Sequence, residues 1–343
     1  MIDLRSDTVT QPTEEMREAM AKARVGDDVF REDPTINHLQ ELAAEKMGKA
    51  DGLFVPSGTM GNLIAVLAHC QPGDEVLMGH LGHTFLFEGG GISALGGIFV
   101  HTCSNKDDGT IDLDEVIHSI RPDDIHQPRS RLLILENTHN RRGGAVLPVL
   151  YMQDVSHAVH SNGLAIHLDG ARIFNAAIAL GVDVRELTGQ CDSVTFCLSK
   201  GLCAPVGSIL CGSVEFINKS RRIRKMLGGA MRQAGVLAAA GIVALEKMVD
   251  RLVDDHKRAM LLAQGLEKIP GLRLDYGLPS SNMVFFSLEE AAPKNGKELK
   301  DYLLLKEINV GLVGPNNFRL VTHYWITDED VQRTIYEVEN CLS

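Results

Sequence analysis

No stretch of this 343-residue chain is long and apolar enough to cross a bilayer: the longest weakly polar run, Ala234 to Leu245, is interrupted by glycine and falls short of the ~20 residues a membrane helix needs. Met1 to Asp7 lacks a basic segment followed by an apolar core, so no secretory signal is expected. The seven cysteines (70, 103, 191, 197, 203, 211 and 341) contain no CxxC pair and are odd in number, which argues against a disulfide framework and for a reduced, cytoplasmic compartment. Cys191, Cys197, Cys203 and Cys211 cluster in apolar, Gly-punctuated segments, where buried thiols are expected rather than a metal site. Neither the dinucleotide fingerprint GxGxxG nor the P-loop GxxxxGK[ST] occurs, and no repeat or low-complexity tract is present. Excess positive charge is also missing. With 45 acidic against 34 basic residues the net charge is -11, a field that repels nucleic acid and anionic membranes. An anionic cofactor would need local help from backbone amides or clustered Arg and Lys.

What is present is an alternation of short apolar runs with helical stretches. Leu53 to Val55, Glu75 to Met78, Gly97 to His101, Leu132 to Glu136, Ala165 to Asp169, Ser193 to Cys197 and Ser208 to Cys211 read as buried strands. Gly61 to Cys70, Leu113 to Ile120, Met152 to Ser161 and Phe174 to Leu180 read as helices between them. Right-handed crossovers then give an α/β fold, with a mostly parallel seven-stranded sheet covered by helices. A long helical stretch is expected from Arg232 to about Glu267, followed by a smaller α+β unit. The expected division is an N-terminal arm (1–20) on the small domain or a partner subunit, a large domain (21–245) and a small C-terminal domain (246–343).

Two runs carry chemistry. Lys200 lies in Cys197-Leu198-Ser199-Lys200-Gly201-Leu202, and Asp169 ends the strand Ile166-His167-Leu168-Asp169. A lysine beside Ser and Gly among apolar neighbours is placed for Schiff-base formation, and a strand-end aspartate can keep a pyridine nitrogen protonated. Together they suggest a pyridoxal-phosphate enzyme; singly they read more often as a surface lysine and a strand-end carboxylate. Val55-Pro56-Ser57-Gly58-Thr59-Met60-Gly61-Asn62 turns a strand through Gly into a helix, whose first amides attract an anion. Ser57 or Thr59 reads alternatively as a helix cap. Lys225 and Arg232 flank a Gly-rich turn and either supply positive charge or form a solvated face. His83 follows a strand and an irregular segment, a position suited to stacking on a ring or moving protons. His126 lies in a loop, while His139 and His167 are weaker candidates at strand positions facing the same edge.

Asp3-Leu4-Arg5-Ser6-Asp7-Thr8-Val9-Thr10, Gly26-Asp27-Asp28, Glu32-Asp33-Pro34-Thr35, Pro56 to Asn62, Glu136-Asn137-Thr138-His139-Asn140, the Asp169 and Lys200 runs, and Arg319-Leu320-Val321-Thr322-His323 follow one another over nearly the whole chain. In these motifs the sequence resembles the low-specificity L-threonine aldolases, pyridoxal-phosphate (PLP) enzymes of fold type I with an aspartate-aminotransferase-like architecture. The resemblance implies aldol cleavage of L-threonine or L-allo-threonine to glycine and acetaldehyde. Lys200 would carry PLP as a Schiff base and Asp169 would pair with its ring nitrogen. Gly58 and Thr59, with Arg172, Lys225 and Arg232, would help bind the cofactor, and His83 would stack on it. Ser6, Arg172 and Arg319 would grip the substrate carboxylate, and His83 and His126 would meet its hydroxyl. No metal is assigned to the site, although Thr8 and Thr10 are candidates for a structural cation. The same resemblance implies a homodimer or a tetramer built from dimers. Phe30 and Phe87 stand where tyrosine is common, Arg31 where glycine is frequent, and Gly82 where serine is usual. The alternatives are another fold type I enzyme, an aminotransferase or β-eliminating lyase, and a non-catalytic binding module.

Overall fold

Buried apolar runs of five to seven residues set the architecture, because a strand covered on both faces needs no polar alternation. The computed structural model describes residues 1–343. A two-residue strand β1 (Ile2–Asp3) comes first. Then follow β2 (Asp51–Val55), β3 (Glu75–Gly79), β4 (Phe99–Cys103), β5 (Ser130–Glu136), β6 (Ala165–Asp169), β7 (Ser193–Cys197) and β8 (Ser208–Gly212). These seven form one sheet in the order β2-β8-β7-β6-β5-β3-β4. Every neighbouring pair is parallel except β2–β8 and β7–β8, so β8 alone runs backward. The fourth strand starts two residues later than its sequence suggests, because Gly97 sits in the left-handed region (φ 62) closing helix Gly91–Gly96.

Local chemistry fixes the helices that shape the site. Helix Pro34–Met47 has Asp33 as its N-cap, Pro34 in its first turn and Gly48 (φ 62) at its end. The Asp33 carboxylate accepts the amides of Thr35 and Ile36, and also those of Gly26 and Gly235. It therefore ties three chain segments together from a fully buried position. Helix Gly58–His69 begins at the cap Ser57, which accepts the Met60 amide. A Cβ on Gly61 would stand 2.7 Å from the Thr195 methyl, so glycine there lets this helix press onto β7.

The long helix expected from Arg232 to about Glu267 is two helices, Gly235–Lys247 and Leu252–Leu266. Apolar period alone does not reveal the break, because both pieces carry helix-forming residues and bury apolar side chains, the first nearly all round and the second on one face. The first packs its alanines into the main core under the large sheet, the second packs Ala259, Leu262 and Leu266 into a separate core. The axis changes where the chain passes from one core to the other.

That second core lies under a four-stranded antiparallel sheet of β9 (Leu272–Leu274), β10 (Met283–Leu288), β12 (Gly311–Leu312) and β13 (Asn317–Val321), with β11 (Ile308–Asn309) beside it. Phe286 and Phe318 stack at 4.7 Å across β10 and β13. The N-terminus joins this unit: β1 pairs with β11, and Ile2 and Leu4 are buried in its core. Helix Glu14–Ala21, in contrast, lies against Gly235–Lys247. No helix is long and apolar enough to cross a membrane.

Candidate active site

The carboxyl ends of β2, β3, β5, β6 and β7 open on one edge of the large sheet, the edge where parallel sheets collect ligands. A cavity of about 330 Å³ lies there, lined among others by Thr8, Thr10, Ser57, Gly58, Thr59, Asn62, His83, Glu88, Asp169, Ser199 and Lys200. Helix Gly58–His69 points its first turn into it. The Met60 amide is taken by Ser57, but the Gly58 and Thr59 amides have no acceptor in the chain. Both readings of this turn thus hold at once: Ser57 is the cap, and two free amides at the positive end of a helix remain for an anion. A Cβ on Gly58 would stand 3.1 Å from Cys197 Sγ, which keeps the backbone close to the strand.

Asp169 faces Lys200 across this cavity and is held on three sides. Its Oδ2 accepts Asn62 Nδ2 at 2.9 Å and Thr84 Oγ1 at 3.3 Å, and its Oδ1 accepts the Ala171 amide at 3.2 Å. Asn62 is itself fixed by His167, whose Nε2 lies 3.1 Å from Asn62 Oδ1 while Nδ1 lies 2.9 Å from Ser193 Oγ. Burial, and then the neighbouring His69, push the His167 imidazole down to about 3, so it is a neutral strut. Lys200 is held through its backbone, its carbonyl accepting the Cys203 amide and lying 2.9 Å from Thr10 Oγ1. The Thr10 hydroxyl also reaches the Asp7 carbonyl at 2.9 Å.

His83 opens a short helix at the end of β3 and stands at the cavity wall. Its amide donates to Glu136 Oε2 at 2.7 Å, and its Nδ1 lies 3.0 Å from Glu88 Oε1. The Glu88 carboxylate raises the affinity of the His83 ring for its proton; burial in turn raises Glu88. Glu136, at the end of β5, is pushed up to about 7 by burial and by the charge of Asp169. His139 is 1 % exposed, both of its ring nitrogens lack a partner, and burial pushes it down to about 4.

The arginines differ from expectation. Arg172 forms a bidentate pair with Asp7, Nε to Oδ2 at 2.7 Å and the second nitrogen to Oδ1 at 2.6 Å, both groups buried. Burial works against charge on Asp7, but Arg172, Lys200 and Arg319 hold its carboxyl well below the usual range. Two nitrogens of the Arg172 fork are therefore already taken. Arg319, on β13, donates to Asn140 Oδ1 at 2.9 Å and to the Arg5 carbonyl at 3.1 Å, and its buried Nε has no acceptor. Burial, and then Arg172, lower its hold on the proton. Ser6 caps the turn Asp7–Val9 by accepting the Thr8 amide.

Six expected residues do not line this cavity: Ser6, Arg172 and Arg319, and with them His126, Lys225 and Arg232. His126 is exposed, its ring held 2.7 Å from Asp124 in the loop before β5. Arg232 pairs with Asp27 at 2.8 Å, and Lys225 is exposed. Sequence adjacency to the Gly-rich turn suggested Lys225 and Arg232. In the fold it is Arg224 that turns inward, to Asp28 at 2.6 Å and the Phe54 carbonyl at 2.7 Å. Phe87 stands beside His83 with ring centroids 5.6 Å apart, Phe30 is 69 % exposed, and Arg31 takes the left-handed conformation (φ 62).

The residues match known proteins over the full fold. A family model described as "Beta-eliminating lyase" matches residues 3–290. The Arabidopsis thaliana protein "Low-specificity L-threonine aldolase 1" is 47% identical over 97% of this chain and 94% of its own length. This chain belongs to the beta-eliminating lyase family. The Escherichia coli (strain K12) low specificity L-threonine aldolase is also 47% identical, over 96% of both chains. A Leishmania major threonine aldolase structure superposes with a TM-score of 0.83 at 21% identity, covering 100% of both chains.

Within this family site, sequence reading missed Asp7, Asn62, Glu88 and Glu136. Asn62 carried a signal, lying four residues after Gly58 on the same helix face as the anion seat. Asp7 and Glu136 lay in the motifs but their partners are 165 and 53 residues away, a separation that no local pattern encodes.

Proposed function

We propose that the chain is a PLP-dependent carbon–carbon lyase that cleaves L-threonine or L-allo-threonine to glycine and acetaldehyde. The observation that carries this is the juxtaposition of Lys200, Asp169 and two acceptor-free helix amides around one cavity. The cavity fits PLP on three counts: free amides for the phosphate, a buried carboxylate for the ring nitrogen, and an amine for the aldehyde. Lys200 would hold the cofactor covalently, with Asp169 and the Gly58–Thr59 turn at its two ends. Bound there, PLP supplies a ring that withdraws electrons and stabilises negative charge left at Cα of an amino acid.

The chain's own groups do the rest. Arg319, with an unpartnered Nε, and the third nitrogen of Arg172 would hold the substrate carboxylate, with Ser6 beside them. Fixing that carboxylate sets which bond at Cα is aligned for cleavage, and so selects the reaction. Glu88 at Nδ1 places the His83 proton on that nitrogen and leaves Nε2 free to accept one. His83 Nε2 would take the β-hydroxyl proton, after which the Cα–Cβ bond breaks to release acetaldehyde. A proton returned to Cα completes glycine.

We place His126, Lys225 and Arg232 at the pocket of a second copy in a homodimer or a tetramer of dimers. Their exposure in this chain supports that reading, as do the uncovered Phe30 and Met226, 69 % and 72 % exposed. The proposed division remains an arm (1–20), a large domain (21–245) and a small domain (246–343). A cytoplasmic setting is proposed from the seven free, buried thiols. Borohydride treatment of the purified PLP-loaded protein tests the central placement: the visible band should be bleached with a pyridoxyl group left covalently on Lys200, and Lys200→Ala should gain no such group while keeping the wild-type circular dichroism. A pyridoxyl group fixed by borohydride in Lys200→Ala, or none fixed to Lys200 in the wild type, contradicts the proposal.

A further inference from the structure

The two halves of the proposed site stand on different supports. His83 belongs to the loop after β3 of the large sheet, whereas Arg319 belongs to β13 of the second sheet. A single side chain lies between them. Glu136 Oε2 accepts the His83 amide at 2.7 Å, and Glu136 Oε1 accepts the Asn140 amide at 2.9 Å. Asn140 then turns its Oδ1 to Arg319 at 2.9 Å. We propose that Glu136 is a positioning residue that braces His83 against Asn140 and Arg319, so that the group meeting the substrate hydroxyl and the group holding its carboxylate keep one fixed separation. The inference rests on the function proposed above.

Chemistry explains why this place needs a carboxylate. Both of its oxygens receive a backbone N–H, and the carboxylate is only 9 % exposed at the end of its strand. Charge-assisted bonds of this kind are short and directional, and they hold loop backbone that packing alone leaves free. A glutamine in the same volume keeps one acceptor oxygen and turns an NH₂ toward the other amide, which replaces a bond by a donor-donor clash. The groups facing Glu136 are Asp169 on β6, His83 on the β3 loop and Arg172 after β6; none of their side chains bonds its oxygens, so no side chain replaces a lost backbone bond.

The test uses the PLP-loaded wild type with Glu136→Gln and Asn140→Ala. Three quantities are measured: amide hydrogen exchange of segments 79–88 and 137–143, the dissociation constant for glycine by calorimetry, and kcat and KM for L-threonine. Glycine has the carboxylate but no hydroxyl, so its binding reads the carboxylate grip that includes Arg319 without the His83 contact to a hydroxyl. For Glu136→Gln both segments should exchange faster, glycine affinity should fall about ten-fold, and kcat for threonine should fall about ten-fold or more, as small misplacements at reacting centres do. For Asn140→Ala glycine affinity should fall to a similar extent with exchange in 79–88 unchanged. A Glu136→Gln protein in which only one segment loosens, or in which glycine affinity or kcat keeps its wild-type value, overturns the brace. Unchanged glycine binding in Asn140→Ala overturns it independently, should Glu136→Gln not fold. If wild type fails to cleave threonine while Glu136→Gln loosens both segments, the functional reading falls and the brace stands.

Discussion

Asp169 is set by contacts that leave its charge available. Asn62, Thr84 and the Ala171 amide all donate to it, and no cation pairs with it directly. Asp169→Asn preserves its size and the acceptor oxygen toward Ala171 but removes the charge that would hold a ring nitrogen protonated. We expect threonine cleavage to fall by about 10²-fold or more, the scale of losing one preorganised electrostatic partner, with the fold intact by circular dichroism. Retention of wild-type kcat in that variant would show that Asp169 does not face the ring nitrogen. At this scale the sequence was legible only in part. Lys200 and Asp169 could be read because Asp169 ends one apolar strand and Lys200 lies just beyond another. The Asp7–Arg172 pair could not: it joins residues 165 positions apart and changes what Arg172 has left to offer a substrate.

At the scale of elements, the strands were legible because buried parallel strands are largely apolar runs, and all seven in the large sheet start within two residues of the expected position. The break near Met248 to Arg251 was not, since it answers to two cores and not to a local breaker. Asp33 shows how much one cap can carry. Four amides from three segments converge on its carboxylate, and a Cβ on Gly235 would stand 2.4 Å from its Oδ1. Replacing it by alanine leaves these donors buried without acceptors. Asp33→Ala should cost on the order of 3 kcal/mol or more, measured as the shift in the guanidinium unfolding curve. A shift below about 1 kcal/mol, the range of an ordinary exposed cap, would mean that the convergence contributes nothing beyond capping.

For the whole molecule, buried titratable groups set how stability depends on pH. Burial pushes His69, His139 and His256 down to about 4 and His167 to about 3. It lowers His323 as well. These rings stay neutral when folded but take a proton near 6.5 when unfolded, so the stability they contribute is lost as pH falls from about 6.5 toward 4. Burial also raises Glu88, Glu136 (about 7) and Asp255 (about 6). Their contribution is present below the ordinary carboxylate range and is lost as pH rises toward 6 and 7. Five histidines against three acids give a net gain between about pH 4.5 and 6. The guanidinium midpoint should accordingly be higher at pH 6 than at pH 4.5; a higher midpoint at pH 4.5 would reverse the balance of these groups.

The chemistry assigned to the assembled site has one direct measurement. Purified protein loaded with PLP is incubated with L-threonine and no keto acid, and acetaldehyde, glycine and 2-oxobutanoate are quantified. Acetaldehyde and glycine should appear in equal amounts, with 2-oxobutanoate absent and the reaction abolished in Lys200→Ala. Formation of 2-oxobutanoate without acetaldehyde, or no turnover of threonine at all, would contradict the account.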